Sequence, residues 1–199
     1  IVQSLVGSEM CIRDSRLGAC QSPESLQRLL AAGANDSDDL YERITRRKAL
    51  EALGRRKDRL ALPVLLAALQ ADDEPTVVNA ADAIARLSTP LNKEEQTALL
   101  QALQGPDNQR RAVLQAFCRL GMNDASGQID HCRNDSNPLV AGAAHAYAVR
   151  VLGDQQGLHP LMEQLRDDNP GRRRAAVIDL GDAGRIEALA ALIRCPVSM

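Results

Sequence analysis

The residues of this chain best able to do chemistry are arginines that recur at matched places: Arg43, Arg46 and Arg47, then Arg110 and Arg111, then Arg172, Arg173 and Arg174. A guanidinium is a planar fork of donors, and several brought into register would bind carboxylates or phosphates. The same residues have a plainer use, pairing with Asp72, Asp73, Asp167 and Asp168 or standing solvated. Tyr41 precedes Glu42 and Arg43, so its ring could stack on a planar ligand beside a cation, or pack half-buried on its own helix. His131 and Cys132, with Cys118 and His145, match no metal-ligand spacing. Nor does anything in the sequence mark an orienting residue or oxyanion donors for a Cys-His pair. No metal and no cofactor is expected, and no catalytic residue is legible.

These side chains must be positioned by helices. Leu158, Leu161, Met162 and Leu165 fall at i, i+3, i+4 and i+7, one face of a helix. Asn169 and Pro170 follow as N-cap and first helical residue of a second helix. The hairpin recurs. Leu62, Leu65, Leu66 and Leu69 repeat the pattern upstream, and Leu189, Leu192 and Ile193 repeat it downstream. RRKALEALG at 46–54 matches RRAAVIDLG at 173–181, and Pro75, Pro106, Pro138 and Pro170 mark a period of about 32 residues. Two helices per period is the signature of an α-solenoid.

Residues 1–15, IVQSLVGSEMCIRDS, fit no repeat and resemble a translated sequencing adapter; they read as a non-native leader. Residues 16–199 are expected to be a solenoid truncated at both ends. A short helix opens at Ser22-Pro23-Glu24, and Asp36–Asp39 cap a long one through Leu53, with Leu40, Ile44, Leu50 and Leu53 facing inward. Further helices are expected at 60–70, 76–87, 93–104, 108–120, 139–152, 158–167, 171–181 and 185–194. The segment 125–133 should form only a short polar helix on Ala125, Ile129 and Cys132.

The chain of 199 residues carries a net charge of −2, so its overall field does not point to nucleic acid. Aromatic residues are 2 % of the chain, too few for the stacking platforms of a helical-repeat DNA glycosylase. The His-Glu dipeptides of helical-repeat iron hydroxylases are missing, because His131, His145 and His159 precede Cys132, Ala146 and Pro160. Five scattered cysteines argue against a disulfide framework and suit a reducing compartment. No apolar run is long enough to span a membrane.

LALPVLLAALQADDEPTVVNAADAIARL and GLHPLMEQLRDDNPGRRRAAVIDLGDAG, with LYERITRRKALEALGRRKD, resemble the HEAT-like repeats of the phycobilisome bilin lyases of the E/F type. The resemblance covers about residues 22–195 and implies an all-α, right-handed α-solenoid of about five HEAT-like hairpins. It implies a lyase that binds an open-chain tetrapyrrole, such as phycocyanobilin or phycoerythrobilin, as substrate. This bilin would be joined through a thioether to a cysteine of a phycobiliprotein α or β subunit. A second lyase subunit is a further implied partner, with the cyanobacterial cytoplasm or plastid stroma as location. On this reading Arg43, Arg46, Arg47 and Arg173 would pair with the propionates, Tyr41 would stand beside them, and Asp82 or Asp179 on a groove face would hold pyrrole N–H groups. The alternatives left open are a non-enzymatic scaffold that grips a protein and a factor acting in phycobilisome turnover.

Overall fold

The computed structural model describes residues 22–87, 90–123 and 126–195; the leader at 1–15 and the expected contact of Ala125 lie outside them. Among the described residues there are eleven α-helices and no strand. They are α1 (Pro23–Ala34), α2 (Leu40–Arg56), α3 (Leu62–Ala68), α4 (Glu74–Arg86), α5 (Lys93–Gln101), α6 (Asp107–Leu120), α7 (Ser126–Asp130), α8 (Pro138–Tyr147), α9 (Leu158–Gln164), α10 (Pro170–Ala183) and α11 (Leu189–Arg194). From α2 onward they form five hairpins, with α1 as the second helix of a preceding one. The fold is a HEAT-repeat α-solenoid.

The starts of these helices follow from local chemistry. Asp39, Asp73, Asn92, Asn137 and Asn169 each turn a side-chain oxygen to free amides of the first turn. Prolines 75, 138 and 170 follow their caps inside the first turn, where a missing N–H leaves no bond unmade.

The chain divides into two compact units, one up to Ala102 and one from Leu103. In the first, α2 lies against α1 and α4, while α3 packs on α1, α4 and α5. Leu50, Leu53, Leu62, Leu65, Leu69, Ile84 and Leu99 are its fully buried centre. In the second, α8 lies against α6 and α10, and α9 closes on α8 and α10. The face of α8 is built from Ala141, Gly142, Ala143, Ala144 and Ala146, all buried. Small side chains keep α8 thin, so that α6 and α10 also touch each other.

Several expectations are corrected. Leu40 is 56 % exposed rather than inward, because α2 begins at that residue and its first turn projects past its neighbours. That helix runs on to Arg56, where Lys57 takes a left-handed conformation with φ 56°. The helix expected over 139–152 ends at Tyr147 and continues as a π turn over Ala148–Leu152 before Gly153. The weak third hairpin is as short as expected, α7 followed by a 3₁₀ turn at His131–Asn134, with Ile129 buried and Cys132 half-buried. On α11, Leu189 and Ile193 are 52 % and 76 % exposed, since no described helix covers that face.

Candidate functional site

The arginines sit close to where their spacing puts them, but most already hold carboxylates or carbonyls. Arg46 is buried in the first unit, its Nε donating to the Gly33 carbonyl at 3.2 Å and its Nη1 to the Asp36 carboxylate. Arg47 grips Asp73 with both arms of the fork, Nε to Oδ2 at 2.8 Å and Nη2 to Oδ1. In the second unit Arg110 bridges Asp107 and Asp135, and Arg111 donates to the Leu139 carbonyl at 2.7 Å and to Asp179 at 2.9 Å. Arg172 pairs with Asp167, while Arg173 donates to the carbonyls of Asp167 and Asp168 at 2.8 and 2.9 Å. The arginines thus tie the acidic turn of a hairpin to the helix beside it and do not form an open anion-binding ladder. Arg43 differs from them. Its side chain makes no ion pair or hydrogen bond among the described residues, and its buried Nε, like that of Arg173, lacks an acceptor.

Arg47 has a measurable consequence at its partner. Held first by Arg47 and then by Thr76, Asp73 has its carboxyl lowered to about 2. A depressed folded pKa stabilises the protein above the ordinary carboxylate value of 3.8, and that contribution is lost as pH falls through about 2. Asp73→Asn is therefore expected to weaken the first unit at neutral pH and to flatten its acid limb between about pH 4 and 2. Circular dichroism across that range measures it; an unchanged acid transition would contradict the pairing.

A cleft of about 430 Å³ opens beside Arg43 and Arg46 where the turn before α2 meets the turn before α4. Asp36, Asp38, Asp72, Asp73 and Glu74 outnumber the two guanidiniums in its walls, so its field is negative. Such a cleft repels a propionate and attracts N–H donors. Tyr41 stands 51 % exposed at the start of α2 and does not line it. Asp82 lies elsewhere in the same unit, in a smaller cleft of about 200 Å³ with Glu51, Asn79 and Arg86.

Asp179 is not on a groove face. Its side chain is 0 % exposed in the second unit, where Oδ1 accepts from Arg111 at 2.9 Å and from Gln115 Nε2 at 3.1 Å. Its Oδ2 is buried without a donor. Burial raises the carboxyl to about 6 against the opposing pull of Arg111. A Cβ on Gly142 would lie 2.9 Å from that Oδ2 and 2.9 Å from Gln164 Oε1, so glycine is what makes room for the acid on α8.

A second large cleft, of about 560 Å³, lies between α9 and α11. Met162, Leu165, Ala190 and Ala191 give it an apolar floor, and Glu163, Arg166, Glu187 and Arg194 give it charged sides. His159 also lines it, as does Cys195, whose thiol faces the Leu165 carbonyl at 3.8 Å. The sequence reading missed this site, although the signal was present: His159, Met162 and Glu163 share a face of α9 beside its buried leucines, and Arg166 follows in the turn after it. Among the described residues no group of three His, Cys, Asp or Glu could hold a metal ion, and no helix is long and apolar enough to cross a membrane.

Comparison with known proteins joins this geometry to a family. HEAT repeats are matched over residues 41–118. A phycocyanin operon protein Y of Pseudanabaena tenuis, itself uncharacterised, is 29 % identical over 94 % of this chain and 44 % of its own length. The bilin biosynthesis protein PecE of Nostoc is 31 % identical over 76 % of this chain and 60 % of its own, so the chain spans roughly half the length of these curated relatives. The solved complex of CpcE and CpcF, a phycocyanin lyase from Nostoc, superposes with a TM-score of 0.74 at 24 % identity, over 94 % of this chain and 75 % of that one, and shows the shared fold. Repeat pattern, all-helical hairpins and shared sequence agree: this chain is a member of the HEAT-repeat family to which the bilin lyases of the E/F type belong.

Proposed function

We propose that this chain is a bilin lyase, or the repeat-bearing part of one, that binds an open-chain tetrapyrrole and directs its attachment to a cysteine of a phycobiliprotein subunit. The observation that carries the reading is the likeness to PecE, 31 % identical over 76 % of the chain. In the reaction the acceptor's thiol adds across the ethylidene double bond of the bilin. Sulfur bonds to the exocyclic carbon, the thiol proton goes to the adjacent ring carbon, and no group leaves.

Two of the chain's thiols fit a nucleophile supplied by the acceptor. Cys118 is buried and pushed up to about 12, and burial raises Cys132 as well, so neither favours the thiolate that attack requires. Holding bilin and acceptor in one orientation is then the chain's contribution, which can account for much of a rate enhancement and for the stereochemistry. A second HEAT-repeat subunit is a proposed partner, as CpcE and CpcF form a complex in the similar structure. The cyanobacterial cytoplasm or plastid stroma is the proposed location.

The test is co-expression of this chain with phycobiliprotein subunits and a bilin supply, with and without a second lyase subunit. Denaturing electrophoresis then reads zinc-enhanced fluorescence of the bands. Fluorescence on a subunit that depends on the chain and survives denaturation is expected. Stable co-purification with a subunit that stays colourless in every combination would move the function to a protein-binding scaffold.

A further inference from the structure

We infer that the cleft between α9 and α11 holds the bilin, gripping its propionates with Arg194 and Arg166 over a floor of Met162, Leu165, Ala190 and Ala191. The inference rests on the lyase reading and assigns its substrate a place. Four features of the cleft fit an open-chain tetrapyrrole dicarboxylate. Its volume of about 560 Å³ lies within the range of roughly 300 to 1,000 Å³ typical of small-molecule sites. Its floor is apolar and made of small or pliable side chains, onto which flat pyrrole rings can settle and around which methionine can adjust.

Charge is the third feature. Arg194 makes no ion pair or hydrogen bond among the described residues, and Arg166 has only an exposed pairing with Glu163 at 2.9 Å, which a propionate can replace at little cost. Two guanidiniums in one cleft match two propionates on one ligand. Fourth, Glu187 lines the same cleft with no partner among the described residues and offers a carboxylate to pyrrole N–H groups. The clefts of the first unit lack this combination: the larger has five carboxylates against two arginines, and Arg46 there is already bonded to Asp36 and Gly33.

The experiment is an absorbance and fluorescence titration of the purified chain with phycocyanobilin and with its dimethyl ester. The proteins compared are the unaltered chain, Arg194→Glu, Ala190→Trp, and Arg43→Glu in the first unit as control. Ala190 and Arg194 are exposed, so neither change disturbs the core, and thermal melts check this. Arg194→Glu is expected to weaken phycocyanobilin binding at least about tenfold, the effect of one lost charge-assisted contact. Ala190→Trp should weaken phycocyanobilin and ester alike by filling the floor. The ester should bind the unaltered chain about tenfold more weakly than the free acid, and this preference should vanish in Arg194→Glu. Unchanged affinity in both cleft variants, or a loss confined to Arg43→Glu, would overturn the assignment while leaving the lyase reading in place. Failure of the unaltered chain to bind phycocyanobilin would also overturn it, and the lyase reading is then decided separately by the co-expression assay.

Discussion

Gly54→Ala is expected to destabilise the first unit by about 3 kcal/mol, the upper part of the usual cost of overpacking a tight core. The added Cβ would lie 2.6 Å from the Cα and 2.8 Å from the Cβ of Ala83. Both atoms belong to the framework of α4, so no side-chain rotation relieves the clash and the two helices must part. Parting them strips contacts from Leu50, Leu53 and Ile84, which are fully buried. Gly181 is the internal control. It holds the same place in RRAAVIDLG that Gly54 holds in RRKALEALG, yet a Cβ there would meet nothing within 4 Å. Gly181→Ala should stabilise its helix by a few tenths of a kcal/mol up to about 1, because alanine is the better helix former. Urea denaturation of the two variants measures both signs. A Gly54→Ala protein within about 0.5 kcal/mol of the unaltered chain would show that α2 and α4 do not approach as described.

The second large effect is a pH response centred on Asp179. Its folded pKa, raised to about 6 from 3.8, means that the native state binds a proton more tightly than the unfolded chain does. Stability from this group is therefore full below about pH 4 and is lost as pH rises through about 6, a fall of about 3 kcal/mol. The groups facing it are Arg111 and Gln115 of α6 and Gln164 near Gly142, with Asp182 adding a like charge from its own helix. Arg111→Ala removes the one cation bonded to the buried carboxylate and is expected to cost about 3 kcal/mol at pH 8. Near pH 5 the loss should be smaller, because the carboxyl can take up a proton. Asp179→Asn should abolish the decline between pH 4 and 6. Melts at pH 5 and pH 8 decide it: an Arg111→Ala penalty that is equal at both, or a decline that persists in Asp179→Asn, would mean that Asp179 does not control this response.

Most of the secondary structure was legible because the forces behind it act within a few residues. Asn169 and Pro170 define the start of α10 through amides of the next turn, and Leu158, Leu161 and Leu165 share a buried face because a helix returns every 3.6 residues. Repetition of that local code at a period of about 32 residues implied a HEAT-like stack before any contact was known. The candidate sites were far less legible. Whether an arginine is free depends on carboxylates distant in sequence: pairing with the acidic turns was one of two readings the residues allowed, and Asp73 does hold Arg47, but nothing near Arg111 reveals that Asp179 holds it. Asp179 could be placed on a helix but not on a side of it that faces solvent, since α8 had to be thin enough to bring α6 against α10.

By itself, then, the sequence determined the helices, their caps, the hairpin unit and the family. Tertiary structure alone decided which charges are neutralised, which cleft joins an apolar floor to open arginines, and why two glycines of one motif differ. Caps and periodicity are properties of a single turn, whereas burial, pairing and close approach are properties of neighbouring helices.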